Sequence, residues 1–363
     1  MLDLTRRWAS DRKFQIGVQL LQGRIDGPRA GRDFTLIAEI VIAALLPRVE
    51  AEFARAHGRI PGGAFVILGL GKLGSREMNV LSDLDLIFVY HAPDAAEPSD
   101  GERKLAATTY YARLGQRVIN ALSALTGEGN LYEVDMRLRP SGNAGPIASS
   151  LDAFHRYHDE QAWTWERMAL TRARVIAGDR DLTRDLEAVI REELTRPRDP
   201  AILLTDVADM RRRIAAAHPK PLAWDCKHRR GALVDLEFIA QYFLLKHAPA
   251  DPAILVPGTA EAYHRLIDGG ALEPGPGAVL AAALRFWQHL QQVLRVTLGK
   301  IEIEEVAADL LDRALARALG LASPEACRLH MSESAETAEV LYQRLIEAPA
   351  QQLAGIGTAK LDG

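Results

Sequence analysis

Residues 69–85 read GLGKLGSREMNVLSDLD and stand between two apolar runs of strand length. The first run, 64–68 (AFVIL), and the second, 84–90 (LDLIFVY), both have the composition of buried β-strands. The GLGKLG turn follows the first run directly, and its glycines can bring backbone N–H groups close to a phosphate. The stretch therefore predicts a strand–turn–strand unit that binds a nucleotide.

The glycine spacing fits neither of two common nucleotide-binding motifs. A GxGxxG dinucleotide turn needs a crossover helix of about ten or more residues before the next strand. Nine residues separate Gly74 from Leu84. A Walker A loop requires Ser or Thr directly after its lysine, whereas Lys72 is followed by Leu73. Nucleotide binding remains predicted, with a geometry other than these two.

Three acids near this turn form a candidate metal site. Asp83 and Asp85 lie two positions apart where the second strand begins, so both carboxylates are expected on one face. Neighbouring carboxylates repel each other unless a cation lies between them, and oxygen ligands suit Mg²⁺. Asp135 lies on the polar face of 131–138 (LYEVDMRL), which alternates as a strand does. The three acids predict a two-metal site for phosphoryl or nucleotidyl transfer, although an Asp-x-Asp pair alone is also typical of a turn.

Two arginines are candidates for contact with a triphosphate. Arg137 shares the polar face of the third predicted strand with Asp135, and Arg139 follows one step later. A guanidinium group binds phosphate oxygens with two parallel hydrogen bonds.

The composition is that of a globular chain of about two to three domains. Hydrophobic residues make up 48% and charged residues 25% of the 363 positions, which excludes disorder and collagen for the whole chain. Acids outnumber Lys plus Arg by 48 to 44, so a nucleic-acid partner is not expected. The most apolar stretch, 36–46, is too short for a membrane span and carries Glu39. We expect no membrane partner, a cytoplasmic location, and buried free thiols at Cys226 and Cys327.

The stretch resembles the DNA polymerase β-type nucleotidyltransferase superfamily, whose Gly-Ser plus Asp-x-Asp arrangement it carries as Leu73-Gly74-Ser75 and Asp83-Leu84-Asp85. More narrowly, the chain resembles the glutamine synthetase adenylyltransferase family in four segments. In chain order these are GLGKLGSREMNVLSDLDLIFVY, YEVDMRLRPSGNAG, QAWTWERMALTRARVIAGD and KHRRGALVDLEFIAQYFLL.

This resemblance implies an α+β fold with a small mixed sheet in a polymerase β-like nucleotidyltransferase domain. The implied organisation is linker helices over 1–60, the nucleotidyltransferase domain over 61–196 and an all-α helical domain over 197–363. Family enzymes carry two nucleotidyltransferase domains with opposing activities, and this chain has one. The RPSGN and AWTWE segments look like the adenylylating copy.

The resemblance also implies the reaction. AMP would move from ATP to a tyrosine of glutamine synthetase with release of pyrophosphate, which down-regulates nitrogen assimilation. Asp83 and Asp85 would hold two Mg²⁺ ions, while Asp135 would complete the site and accept the tyrosine proton. The implied nucleotide-binding residues are Gly74, Ser75, Lys72, Ser82, Arg137 and Arg139.

Glutamine synthetase is the implied partner, and a PII-type signal protein is a second candidate. Two alternatives stay open: a nucleotidyltransferase with another acceptor, and a non-catalytic module that binds glutamine synthetase or a PII-type protein. The presence of all three acids favours catalysis. Of the remaining features, Trp163 and Trp165 are expected to pack in the interior. The acids Glu302, Glu304 and Glu305 are expected on a solvated surface.

Overall fold

The computed structural model describes residues 2–93, 97–219, 224–299, 313 and 315–359. The predicted acidic surface at Glu302, Glu304 and Glu305 lies outside the described residues. The chain divides into two compact units. The first comprises Met1–Ile16, Arg32–Met78 and Ser82–Glu193, and the second Gly17–Gly31, Asn79–Leu81 and Leu194–Gly363.

The first unit is built around a mixed sheet. Its strands are β1 (Ala64–Gly69), β2 (Leu84–His91), β3 (Val134–Asp135), β4 (Ala148–Ser150) and β5 (Arg174–Gly178). The helices of this part of the chain are α1 (Leu2–Leu21), α2 (Gly27–His57), α3 (Gly71–Gly74), α4 (Ala107–Ser123), α5 (Leu151–Glu160), α6 (Thr164–Leu170) and α7 (Arg180–Thr195), with a 3₁₀ turn at Gly142–Ala144.

Strand β1 pairs antiparallel with β2 and with β5, whereas β2 pairs parallel with both β3 and β4. The predicted small mixed sheet is therefore confirmed. The apolar runs on β1 and β2 are buried on both faces, as their continuous hydrophobicity indicates. Helix α4 covers the sheet with Tyr111, whose ring stacks at 4.4 Å on Tyr90 and at 5.9 Å on Phe65. These contacts hold the strand that carries Asp85 in a rigid core.

The third strand is much shorter than the sequence predicts. The alternation over 131–138 predicts a full strand, and that prediction is wrong because only Val134–Asp135 pairs with β2. The Asp135 carboxylate accepts the backbone N–H of Arg137 at 2.8 Å, which turns the chain out of the sheet. Leu131 and Tyr132, predicted on opposite faces, are both buried.

Strand β5 also departs from the sequence-based expectation. Arg174–Gly178 forms a strand beside β1, in addition to the three strands that the sequence predicts. Its five residues are too few for periodicity to separate a strand from a helical turn.

The second unit contains the helices that follow residue 194. Those that are described in full are α8 (Pro200–Ala217), α9 (Leu233–His247), α10 (Thr259–Asp268), α11 (Pro274–Leu298), α12 (Pro324–Tyr342) and α13 (Ala348–Ala359), with a 3₁₀ turn at Pro252–Ile254 and a π-helical turn at Gln343–Glu347. Asp199 caps α8 by accepting the N–H of Ala201 at 2.8 Å. A fully buried ion pair between Arg211 and Asp235 joins α8 to α9.

Cys226 and Cys327 are buried free thiols, as the sequence predicts. Within the described residues, no helix combines the length and the apolar character needed to cross a membrane.

Candidate functional site

The glycine turn and the start of β2 are in direct contact. The N–H of Leu70 donates to the Asp85 carbonyl oxygen at 2.9 Å. Gly71 has a positive φ of 51°, and a Cβ placed there would lie 2.1 Å from Oδ2 of Asp85. Only glycine fits this position, because a side chain would collide with the carboxylate. The glycine turn is therefore shaped to let the Asp85 carboxylate lie against it.

The structure brings two of the predicted acids onto neighbouring strands. Asp85 and Asp135 are register partners in the parallel pair formed by β2 and β3. Paired residues of adjacent strands project from the same face of a sheet, so their carboxylates share a face. Both residues are half-buried, while Asp83 is exposed two positions before Asp85. The structure thus brings Asp85 and Asp135 together where β2 begins, and the place of Asp83 in a shared site stays a prediction.

Arg137 binds the third acid of the site. Its Nε lies 2.8 Å from Oδ2 of Asp135 and its Nη2 lies 2.5 Å from the same oxygen. The hydrogen bond from Arg137 lowers the pKa of Asp135, and this outweighs the opposing effect of burial. The pKa of Arg137 is raised mainly by Asp135, with further attraction from Asp83 and Asp85. One guanidinium group therefore lies within electrostatic reach of all three acids.

The acids fit a magnesium ion by donor type. Asp83, Asp85 and Asp135 offer only carboxylate oxygens, which are the ligands that Mg²⁺ prefers. In the described part of the chain, no three His, Cys, Asp or Glu side chains already stand in a geometry that holds a metal ion. Both carboxylate oxygens of Asp135 bind Arg137. Asp135 would therefore have to exchange this guanidinium for a metal ion.

Gly74 and Ser75 lie inside the turn. A Cβ at Gly74 would lie 1.9 Å from the Arg172 carbonyl oxygen, so this position also requires glycine. The Ser75 hydroxyl is buried, accepts from Nη2 of Arg172 at 2.7 Å, and lies 3.0 Å from both the Gly71 carbonyl oxygen and Oε2 of Glu77. Its hydrogen-bonding capacity is used to fix the turn. A phosphate contact from these residues stays a prediction.

Of the other predicted nucleotide-binding residues, Lys72 and Ser82 are half-buried beside the turn and the acids. Arg139 closes its own loop: Nη1 donates to the Met136 carbonyl oxygen at 2.7 Å and Nε to that of Gly145 at 3.4 Å. Arg139 still helps to lower the pKa of Asp135 by attraction. The structure therefore places Arg139 in a loop-closing role near the site.

Two arginines that the sequence reasoning missed support the glycine turn: Arg172 lies just before β5 and Arg174 is its first residue. Arg172 binds Glu77 at 2.6 Å in addition to Ser75. Arg174 donates to the carbonyl oxygens of Leu73 at 3.1 Å and Gly74 at 3.2 Å.

A second hydrogen-bond network fixes the loop after β3. The hydroxyl of Tyr157 donates to Oε1 of the buried Glu166 at 2.7 Å, and the Ser141 backbone hydrogen-bonds to Tyr157. Burial, and then the bond to Glu166, raises the pKa of Tyr157. Oε2 of Glu166 accepts the N–H of Trp163 at 2.8 Å. Helices α5 and α6 therefore hold the Arg-Pro-Ser-Gly loop in place.

The expectation that Trp163 and Trp165 pack in the interior is wrong. Trp163 is 71% exposed and Trp165 is 40% exposed. They stand at the first positions of α6, whose buried side chains are Glu166, Met168 and Leu170. The two rings therefore face solvent close to the loop that follows β3.

Comparison with known proteins identifies two matching family models. Residues 1–189 match the model described as glutamate-ammonia ligase adenylyltransferase. Residues 204–346 match a model described as GlnD PII-uridylyltransferase.

Curated relatives cover almost the whole chain. A relative from Mesorhizobium japonicum is 48% identical over 318 residues, covering 87% of this chain and 32% of its own length. One from Xanthobacter autotrophicus is 41% identical over 351 residues, covering 96% of this chain and 36% of its own length. One from Rhodopseudomonas palustris strain TIE-1 is 42% identical over 345 residues, covering 95% of this chain and 35% of its own length. Each is named a bifunctional glutamine synthetase adenylyltransferase/adenylyl-removing enzyme.

The chain spans about a third of the length of these relatives. The first family model covers more than half of the chain and includes the glycine turn and all three acids. The chain therefore belongs to the glutamate-ammonia ligase adenylyltransferase family.

Proposed function

We propose that this chain transfers AMP from ATP to a tyrosine hydroxyl of glutamine synthetase and releases pyrophosphate. The observation that carries the proposal is the register pairing of Asp85 with Asp135 beside the glycine turn. Membership of the family, and relatives named for adenylyl transfer to glutamine synthetase, support the same reaction.

In the proposed step, the phenolic oxygen attacks the α-phosphorus of ATP in line with the departing pyrophosphate. A new phosphorus–oxygen bond forms to tyrosine, and the bond to the β-phosphate oxygen breaks. Asp135 is the candidate acceptor for the phenolic proton, because it lies on the face shared with Asp85. The phenol has an ordinary pKa of about 10, so it needs such a base at neutral pH.

Asp83, Asp85 and Asp135 are the residues that would hold two Mg²⁺ ions. When bound, Mg²⁺ would neutralise the triphosphate and stabilise the leaving pyrophosphate. Lys72, Ser82 and Arg137 are proposed to contact the phosphates, and Gly74 and Ser75 to shape the turn below them. Arg172 and Arg174 keep that turn in place.

We further propose that residues 61–196 form a polymerase β-like nucleotidyltransferase domain, preceded by linker helices and followed by a helical domain over 197–363. The chain carries one copy of the Gly-Ser plus Asp-x-Asp arrangement, at Gly74-Ser75 and Asp83-Leu84-Asp85, and its RPSGN and AWTWE segments favour the adenylylating half of the bifunctional relatives. The match of 204–346 to a PII-uridylyltransferase model supports a PII-type signal protein as a second partner. A cytoplasmic location follows from such partners.

The test is transfer of label from α-labelled ATP with Mg²⁺ to purified, unadenylylated glutamine synthetase. Label should appear on wild-type synthetase and be lost when its acceptor tyrosine is replaced by Phe. Asp83→Asn should abolish the transfer, whereas Asp181→Asn, an exposed acid on α7, should leave it unchanged. Addition of EDTA should stop the transfer, and restored Mg²⁺ should recover it.

The outcome separates the alternatives. Labelling of another acceptor, with none on glutamine synthetase, would leave a nucleotidyltransferase with a different substrate. A non-catalytic regulatory module would bind glutamine synthetase tightly but transfer no label to it. Its Asp83→Asn variant would bind glutamine synthetase equally well. Full activity of Asp83→Asn would remove the proposed metal role.

A further inference from the structure

We propose that Arg137 is a built-in counterion that competes with metal for Asp135, so that metal binding at this site depends on nucleotide. This inference rests on the proposed function, because it takes Asp83, Asp85 and Asp135 as the metal site.

The contacts at Asp135 show what a metal ion would have to displace. Oδ1 accepts the backbone N–H of Arg137 at 2.8 Å and its Nε at 3.1 Å. Oδ2 accepts Nη2 at 2.5 Å. The two oxygens of a carboxylate offer about four lone-pair positions. The backbone N–H occupies one of these positions, and the guanidinium makes three contacts with the two oxygens, including a second one from Nε to Oδ2 at 2.8 Å. Metal binding to Asp135 therefore requires that the side chain of Arg137 leave.

Arg137 is free to make this movement. Its side chain is 75% exposed, while that of Asp135 is 13% exposed and stays anchored by the backbone turn. Arg172, by contrast, is 9% exposed and binds the glycine turn. Swinging the guanidinium of Arg137 away from Asp135 moves a side chain that is already mostly in solvent. The same movement by Arg172 would break a buried network.

The charges decide when the movement is favourable. Asp83 and Asp85 also attract Arg137, so its guanidinium neutralises part of the acidic cluster. A divalent cation that binds without nucleotide must displace this guanidinium from Asp135. The guanidinium then lies close to the positively charged metal ion and has lost its own carboxylate partner. A nucleotide triphosphate gives the released guanidinium a new set of anionic oxygens. Metal and nucleotide therefore bind with positive coupling, which by linkage is equal in both directions.

The test measures Mn²⁺ as a spectroscopic substitute for Mg²⁺. Free Mn²⁺ is followed by electron paramagnetic resonance in wild type and Arg137→Gln, with and without α,β-methylene ATP, which is not cleaved at the reacting bond. Without nucleotide, Arg137→Gln should bind Mn²⁺ about 5- to 10-fold more tightly than wild type, within the usual range of coupling between sites. The gain in Mn²⁺ affinity caused by the nucleotide should shrink correspondingly.

Matched variants locate the effect. Arg184→Gln removes an arginine of similar exposure, 73%, that pairs with Asp181 on α7, and it should bind Mn²⁺ as wild type does. Adding Asp85→Asn to Arg137→Gln should abolish the tighter binding. If the double variant keeps it, the ion binds elsewhere and the inference is overturned.

Two further results would count against the inference and separate it from the proposed function. Equal Mn²⁺ affinity of wild type and Arg137→Gln in the absence of nucleotide would exclude competition while leaving the metal site intact. Absence of Mn²⁺ binding in both proteins, even with nucleotide, would remove the metal site and with it the proposed function. Circular dichroism of each variant verifies that the fold is retained.

Discussion

Asp85 on β2 and Asp135 on β3 are register partners in a parallel strand pair that is only two residues long. The pair is extended by one hydrogen bond, from the N–H of Leu84 to the Glu133 carbonyl oxygen at 2.9 Å. The two carboxylates therefore depend on a very short segment for their relative position. The rigid core beneath β2 compensates, because that strand is buried along most of its length.

Replacing Asp135 with Asn tests this pairing. The Asn side-chain oxygen can still accept the backbone N–H of Arg137, so the turn after β3 should survive. The negative charge that would bind the metal ion and accept the proton is lost. We therefore expect the rate of AMP transfer to fall about 100-fold or more, which is the scale for removing one group that stabilises transition-state charge. Glu133→Gln, an exposed acid two positions away, is the control in the same labelling assay. Near wild-type activity of Asp135→Asn would contradict the assignment.

Two effects of a side chain at position 71 can be measured separately: backbone strain at positive φ, and collision with the Asp85 carboxylate. Gly71→Ala and Gly129→Ala both place a side chain at positive φ, of 51° and 82°, and each should cost about 1–2 kcal/mol in unfolding free energy. A Cβ at Gly129 meets open space, whereas one at Gly71 strikes the Asp85 carboxylate. We therefore expect only Gly71→Ala to impair AMP transfer as well. Urea unfolding and the labelling assay measure the two effects; equal activity of the variants would show that the contact is unimportant.

Arg172 and Arg76 offer a matched pair of arginines near the turn. Arg172→Met leaves the buried hydroxyl of Ser75 and the carboxylate of Glu77 without their cation, and we expect a loss of about 3–5 kcal/mol in unfolding free energy. Arg76 is 57% exposed and pairs with Glu39 at 3.4 Å, so Arg76→Met should cost less than about 1 kcal/mol. Denaturant unfolding compares them. Similar losses would mean that the buried network contributes little.

Lys13 predicts a pH dependence of stability. Its Nζ lies 3.8 Å from the centre of the Tyr132 ring, and burial lowers the pKa of Lys13 from 10.5 to about 8. Between these two pH values the unfolded chain binds more protons than the folded one, so this group makes stability rise with pH there. At neutral pH, keeping the charge in this half-buried position opposes folding.

Lys13→Met removes that contribution. The variant should therefore exceed wild type in unfolding free energy by the widest margin near neutral pH. This margin should shrink as the pH rises towards about 10, roughly the upper end of the titration. Urea unfolding at several pH values gives the difference, and Lys104→Met, at an exposed lysine, corrects for the loss of one charge. A difference that does not change with pH would show that Lys13 keeps an ordinary environment.

Much of the candidate site was readable from the sequence because it depends on local rules. Strands β1 and β2 form where continuous apolar runs stand. The period of two predicts Asp83 and Asp85 on one face, and this stays a prediction because β2 begins only at Leu84. The family resemblance is likewise carried by contiguous segments and is confirmed. The roles of the individual site residues and the domain boundaries stay predictions.

Only the tertiary structure decided which distant groups meet. Arg172 reaches Ser75 across 97 positions of the chain. Strand β3 ends at Asp135 because its carboxylate binds the chain that follows, although the alternating pattern continues. The tryptophans of α6 face solvent because Glu166 and its neighbours occupy the buried face. Backbone periodicity and steric fit act over a few residues and can be read locally. Ion pairs and burial depend on which segments pack together, and that is set by the fold as a whole.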